Sequence, residues 1–341
     1  MKRLLGILLL VSSALSLTQS LAQPAAQQEP PEEVIVTGRL PGPALWRVSN
    51  PDDHVLWVFA SLSPIPKDMV WESQRVEQVI AGADEYLEAP GVDGSVSPLV
   101  MLNPINYVRG FRLLKRLQAN PDGKSLQEVL PPAMYQRFAA LKAQYDPNNK
   151  DVDQLRPLFA VGAINDAILA KHDLVGNREI MKKVNRLVKR NRKLERTTTE
   201  VTVRLKGGYG DLADRAETLM QSLPLEQELA CMERSLDRYE NEIEEMKSRA
   251  SSWAQGWIDD LRGMPLRGTT DDPCQVLIMA SSEAGTVAEM RAQSEQAWLT
   301  AAEKSLANNE STFAILGLRD VLSEEGLLAK LKAKGYRVRE P

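Results

Sequence analysis

The chain has 341 residues, 26% charged and 43% apolar, with a formal charge of -4. This is ordinary globular composition, long enough for one large domain or two small ones. The mild acidity argues against a general nucleic-acid binder, which would carry a basic surface.

Residues 1–22 read as a cleavable signal peptide. Lys2 and Arg3 form the positive start, residues 4–17 an apolar run of roughly 14 residues, and Ser20-Leu21-Ala22 a small-residue cleavage site. The run is short of the ~20 residues that span a bilayer, and no later run in the mature chain is long enough either. The expected destination is an oxidising compartment, periplasmic or secreted. No cysteine adjoins the cleavage site, which argues against a lipoprotein. Residues 23–42, rich in Gln, Pro, Ala and Glu, read as a flexible linker. Within it, residues 32–38 resemble a short segment near the start of TonB-dependent receptors, and read more simply as an extended stretch. The folded domain is expected over 43–341.

Residues 44–48 and 55–62 are aromatic and β-branched and flank Asn50-Pro51-Asp52-Asp53, so they predict a β-hairpin. A helix is predicted over 70–81 and a short strand over 85–89. The middle reads as successive helices. Leu158, Val161, Ile164 and Ile168 share one helical face, and Ile180, Val184, Leu187 and Val188 share another. Residues 198–205 alternate and predict a strand or hairpin arm. Gly207-Gly208-Tyr209-Gly210 lacks the strand-turn-helix context of a phosphate-binding loop.

Leu225, Leu229, Met232, Leu236, Tyr239, Ile243 and Met246 follow a heptad seam on one long predicted helix. The seam fits a homodimer or a partner helix; packing inside the chain's own helical hairpin is the preferred reading. Residues 260–273 predict a connector, and 276–306 a last long helix. The end of the chain reads strand (312–316), helix (322–334, with Glu324 and Glu325 in its first turn), Gly335 stop and strand (336–339). A crossover would put both strands in one sheet. The fold class is therefore α+β and helix-rich, with a sheet from N- and C-terminal strands framing a long helical middle segment.

Charge is segregated. Residues 178–196 are strongly basic, and residues 226–245 strongly acidic. The basic stretch suits anionic lipid or, more simply, a solvated face pairing with the acidic helix. Without interleaved aromatics, it does not read as a nucleic-acid site. Cys231 and Cys274 are the only cysteines, and in an exported chain such a pair reads as a disulfide, with two buried thiols as the alternative. His54 and His172 are the only histidines; they do not read as convergent, and both are expected at the solvated surface. The motifs of zinc proteases, nucleotide-binding loops, EF-hands and serine hydrolases are absent.

Several fragments in order resemble the TraB/GumN family, which is related to Tiki-type peptidases. They are Gly42-Pro43-Ala44-Leu45-Trp46-Arg47-Val48, the run from Val55 to Pro64, Asp84-Glu85-Tyr86-Leu87-Glu88, Leu155-Arg156-Pro157-Leu158, and the run from Phe313 through Gly317 and Gly326 to Val338. The resemblance implies two Gly-x-x-His motifs at strand ends which, with an acidic residue, hold a divalent metal for peptidase chemistry. Here the first motif reads Ala60-Ser61-Leu62-Ser63 and the second Gly317-Leu318-Arg319-Asp320. Glu88 matches the acidic position. Ser294-Glu295 replaces an Arg-Asn pair ahead of Trp298.

A serine hydroxyl is a poor ligand for zinc, manganese or cobalt compared with imidazole. Ser63, Glu88 and Asp320 are therefore read as a remnant site, expected to gather at the strand carboxyl ends, with no intact catalytic set and no cofactor. Glu88 and Asp320 remain weak candidates as metal ligands. The resemblance, so altered, implies a catalytically degenerate member that binds a peptide, protein or envelope component. The alternatives are a metal-dependent peptidase or hydrolase (Mn, Co or Zn) with a carboxylate-rich site, and a helix-mediated adaptor.

Overall fold

A computed structural model describes residues 42–96, 104–205, 209–265, 273–274, 277 and 286–341. The expected signal peptide, the linker up to residue 41 with its 32–38 segment, and Gly207-Gly208 lie outside the described residues.

The frame is a six-stranded mixed sheet. In chain order the strands of the protein are β1 (Leu45–Ser49), β2 (Val55–Ser61), β3 (Ile65–Pro66), β4 (Glu85–Leu87), β5 (Val92–Val96), β6 (Leu174–Val175), β7 (Glu195–Thr197), β8 (Val201–Leu205), β9 (Ser311–Gly317) and β10 (Arg337–Arg339). The sheet runs β10-β1-β2-β9-β4-β7, with β3-β6 and β5-β8 as separate pairs. The predicted hairpin forms β1 and β2, with the Asn50 side chain accepting from the His54 N–H at 2.9 Å across the turn. β9 inserts between β2 and β4, parallel to both. Five successive residues of β9 are buried, as a central parallel strand covered on both faces requires. β10 joins the same sheet, but at its far edge, antiparallel to β1.

Among the described residues two large apolar cores follow, with a small third cluster around Leu223 and Cys231. One covers the sheet and takes in Phe59, Trp71, Trp253, Trp298 and Phe313, together with the inner faces of the Arg178–Arg190 and Leu327–Ala333 helices. The other lies among helices and gathers Leu126, Phe138, Ile164, Ile168, Met232 and Leu236. Beside it the buried Arg156 donates from Nε to Glu228 at 3.0 Å, and Cys231 and Cys274 are joined as a disulfide.

Three expectations are corrected. The predicted 70–81 helix begins only at Gln74, because Trp71 turns into the core against Phe59 and Trp253. Of the two alternatives for residues 198–205 the strand holds, as β8, which pairs in parallel with β5. The heptad seam is not one helix. It breaks at Glu242 into Leu225–Asn241 and Ile243–Gln255, and Met232, Leu236, Tyr239, Ile243 and Met246 are buried in the chain's own helical core. This is the preferred reading of the seam, packing inside the chain, while Leu225 at its start stays half-exposed. Finally, the predicted 322–334 helix begins only at Leu327 and ends at Ala333; Glu324 and Glu325 lie in the bend between it and a separate short helix, Leu318–Leu322. Gly326 makes the bend possible, since a Cβ there would lie 2.5 Å from the Asp320 carbonyl oxygen.

Candidate functional site

The register of the parallel strands builds the site. β2 and β9 pair residue for residue from Val55 with Ser311 to Ser61 with Gly317. Both strands therefore stop at one level, and the loops after them leave the sheet side by side. Ser63 lies in the first loop and Asp320 in the second. They share the lining of a cavity of about 210 Å³ with Ser61, Arg249, Gly317 and Arg319. The floor is rigid. The Trp253 indole donates to the Ala60 carbonyl at 2.7 Å, while its ring meets Phe59 edge-on at 5.8 Å. The Ser61 hydroxyl donates to the Leu316 carbonyl at 3.2 Å and ties the two strand ends together.

Asp320 is the third residue of the Leu318–Leu322 helix, and its carboxylate accepts from the backbone N–H of Gly317, the residue that caps that helix. This is half of a capping box, a structural task for a carboxylate. Retention of Gly317 fits the same contact, because a Cβ there would sit 3.2 Å from Asp320 Oδ2. Burial raises the Asp320 pKa above the ordinary aspartate value; Arg291 opposes that shift, Glu295 adds to it, and Lys330 opposes it. Arg319 approaches the carboxylate at 3.4 Å.

Glu88 does not join this group. It follows β4, on the far side of β9 from Ser63, and is ion-paired to Arg196 at 2.6 Å. Arg196 also lies 5.5 Å over the Tyr86 ring, and the Tyr86 pKa is pushed up to about 12, first by burial and then by Glu88. The expectation that all three remnant residues gather is thus met by Ser63 and Asp320 alone. Ser294 is buried and donates to the Thr199 carbonyl, whereas Glu295 pairs with Lys330 at 2.7 Å and Arg291 at 3.3 Å. Trp298 is wholly buried in the sheet core, and its indole N–H has no hydrogen-bond partner among the described residues.

Neither histidine reaches the cavity. His54 precedes β2, about 20 Å along the strand from its far end, and its Nδ1 meets the Leu306 carbonyl at 3.0 Å. His172 Nε2 meets the Tyr145 hydroxyl at 3.0 Å. Both are partly buried and hydrogen-bonded, in place of the expected solvated surface positions. Sequence reasoning missed the two arginines. Arg319 stands inside the second motif itself. Arg249 sits on a helix far along the chain, held by Glu245 and by the Pro265 carbonyl at 3.0 Å, and nothing in its local pattern marks it.

A divalent metal does not fit these residues. Among the described residues no three His, Cys, Asp or Glu side chains are placed to hold an ion. The cavity offers one carboxylate beside two guanidinium groups, whose charge repels a cation. The arrangement can instead receive polar or anionic groups by hydrogen bonds from Ser63 and charge-assisted bonds from the arginines. Among the described residues no helix is long and apolar enough to cross a membrane.

The sequence model of the TraB/PrgY/gumN family matches residues 44–340. No curated protein and no solved structure matches the chain.

Proposed function

Because the chain belongs to the TraB/PrgY/gumN family, we propose that it is an exported, catalytically degenerate member that binds a peptide, protein or envelope component at the carboxyl ends of β2 and β9. The observation that carries this reading is the composition of the 210 Å³ cavity: Ser63 and Asp320 occupy the two motif ends, and Arg249 and Arg319 line the same cavity. A catalytic zinc site needs about three protein ligands to lower the pKa of its water. Here the second motif's carboxylate caps its own helix, and the acid of β4 is engaged by Arg196. The cavity keeps the shape of a strand-end binding site, where ligands of open sheets lodge, and loses the means to activate water.

The test uses a mixed library of fluorescence-quenched peptides with added zinc, manganese or cobalt. The expected result is no cleavage, with saturable binding of library members that Ser63→Trp abolishes while the circular dichroism stays unchanged. Metal-dependent cleavage would establish the carboxylate-site peptidase reading in its place.

A further inference from the structure

The Arg178–Arg190 helix has two faces of opposite character. Ile180, Val184 and Val188 are buried in the sheet core, with Met181 and Leu187 packed beside them. The opposite face presents Arg178, Lys182, Arg186, Lys189 and Arg190, and Arg192 and Lys193 extend it beyond the helix end; all seven are exposed. At 1.5 Å per residue the array is roughly 20 Å long.

Most of this charge is unpaired among the described residues. Lys182 pairs with Glu179 at 2.6 Å, and Lys183, at the border of the two faces, sits 4.5 Å over the Trp71 ring. None of the other exposed cations from Arg178 to Lys193 has an ion pair among the described residues. The acidic helix that would be their natural internal partner is taken elsewhere. Asp237 and Glu240 bind Arg137, and Glu228 binds Arg156. Concentrating unpaired positive charge on one face of a chain with net charge -4 costs self-repulsion that an external anionic partner relieves.

We propose that this face docks the protein on a bilayer containing anionic phospholipid. The array is linear and carries no exposed aromatic ring for base stacking, which disfavours single-stranded nucleic acid. A groove of about 590 Å³ follows the same cations together with Met181 and Asn185, spreading the site over several headgroups rather than caging one. Juxtaposed Lys and Arg side chains gain from a negative surface potential in proportion to their number, within a Debye length of the surface. The face shares no residue with the strand-end cavity, so this inference stands apart from the fate of the metal site.

The test is co-sedimentation of the mature chain with phosphatidylcholine vesicles, with and without about a third phosphatidylglycerol. Retention on the anionic vesicles only, reversed by high salt, is expected. The triple variant Arg186→Glu, Lys189→Glu, Arg190→Glu should lose at least about tenfold in affinity. The charge-preserving variant Arg186→Lys, Lys189→Arg, Arg190→Lys should keep it. Equal partition to neutral and anionic vesicles, undiminished binding by a folded triple Glu variant, or retention by double-stranded DNA without retention by vesicles would each overturn the proposal.

Discussion

The two cores are fastened by different means. The sheet core is largely apolar and aromatic, with Phe59 meeting Trp71, Trp253 and Phe313, and with Glu85 buried in β4 and bonded by Ser305 and Asn309. The helical core is bounded by a buried ion pair and a disulfide. Apolar burial is non-directional and tolerates local change, whereas a buried charge depends on one partner. The site rests mainly on the aromatic core, but Arg249 in its lining is itself a buried charge held by Glu245.

The comparison breaks first at Arg156. Arg156→Ala strands the fully buried Glu228 carboxylate and should cost about 3–5 kcal/mol, read as a lower urea midpoint. Replacing both partners by Met should recover most of that loss. Next is the disulfide: Cys231→Ser with Cys274→Ser should cost about 2–4 kcal/mol, since the bond closes a 43-residue separation. On the sheet side, Arg196→Gln removes only the partly exposed partner of Glu88 and should cost no more than ~1 kcal/mol. The smallest effect belongs to Asp320. Its raised pKa means the folded chain binds that proton more tightly than the unfolded chain. Its contribution favours folding at low pH and is lost as pH rises from the ordinary aspartate value through the raised one. The stability of Asp320→Asn relative to the unaltered chain should therefore improve from about pH 4 to pH 7. A flat difference would mean that Asp320 is not desolvated.

Much of the sheet was legible because its signals are local. Aromatic and β-branched runs around Asn50-Pro51-Asp52-Asp53 specify the hairpin, and the apolar run at 312–316 specifies the buried central strand. The break at Glu242 was not, because the heptad spacing continues across it from Tyr239 to Ile243 without Gly or Pro. The bend at Gly326 depends on a backbone contact with Asp320 that no local pattern encodes. At the site, the motif positions led to Ser63 and Asp320, but the engagement of Glu88 by Arg196 depends on the neighbouring strand. Arg249 reaches the cavity only through the tertiary fold.

The most direct measurement is the divalent metal retained after incubation with zinc, manganese and cobalt and desalting. It should be made on the mature chain and on a Ser63→His, Asp320→His double variant, which restores imidazole at both motif ends. No retained metal is expected on the unaltered chain, and at most weak retention on the double variant, whose two imidazoles lack a third ligand while Arg196 holds Glu88. Near-stoichiometric metal on the unaltered chain would contradict the account.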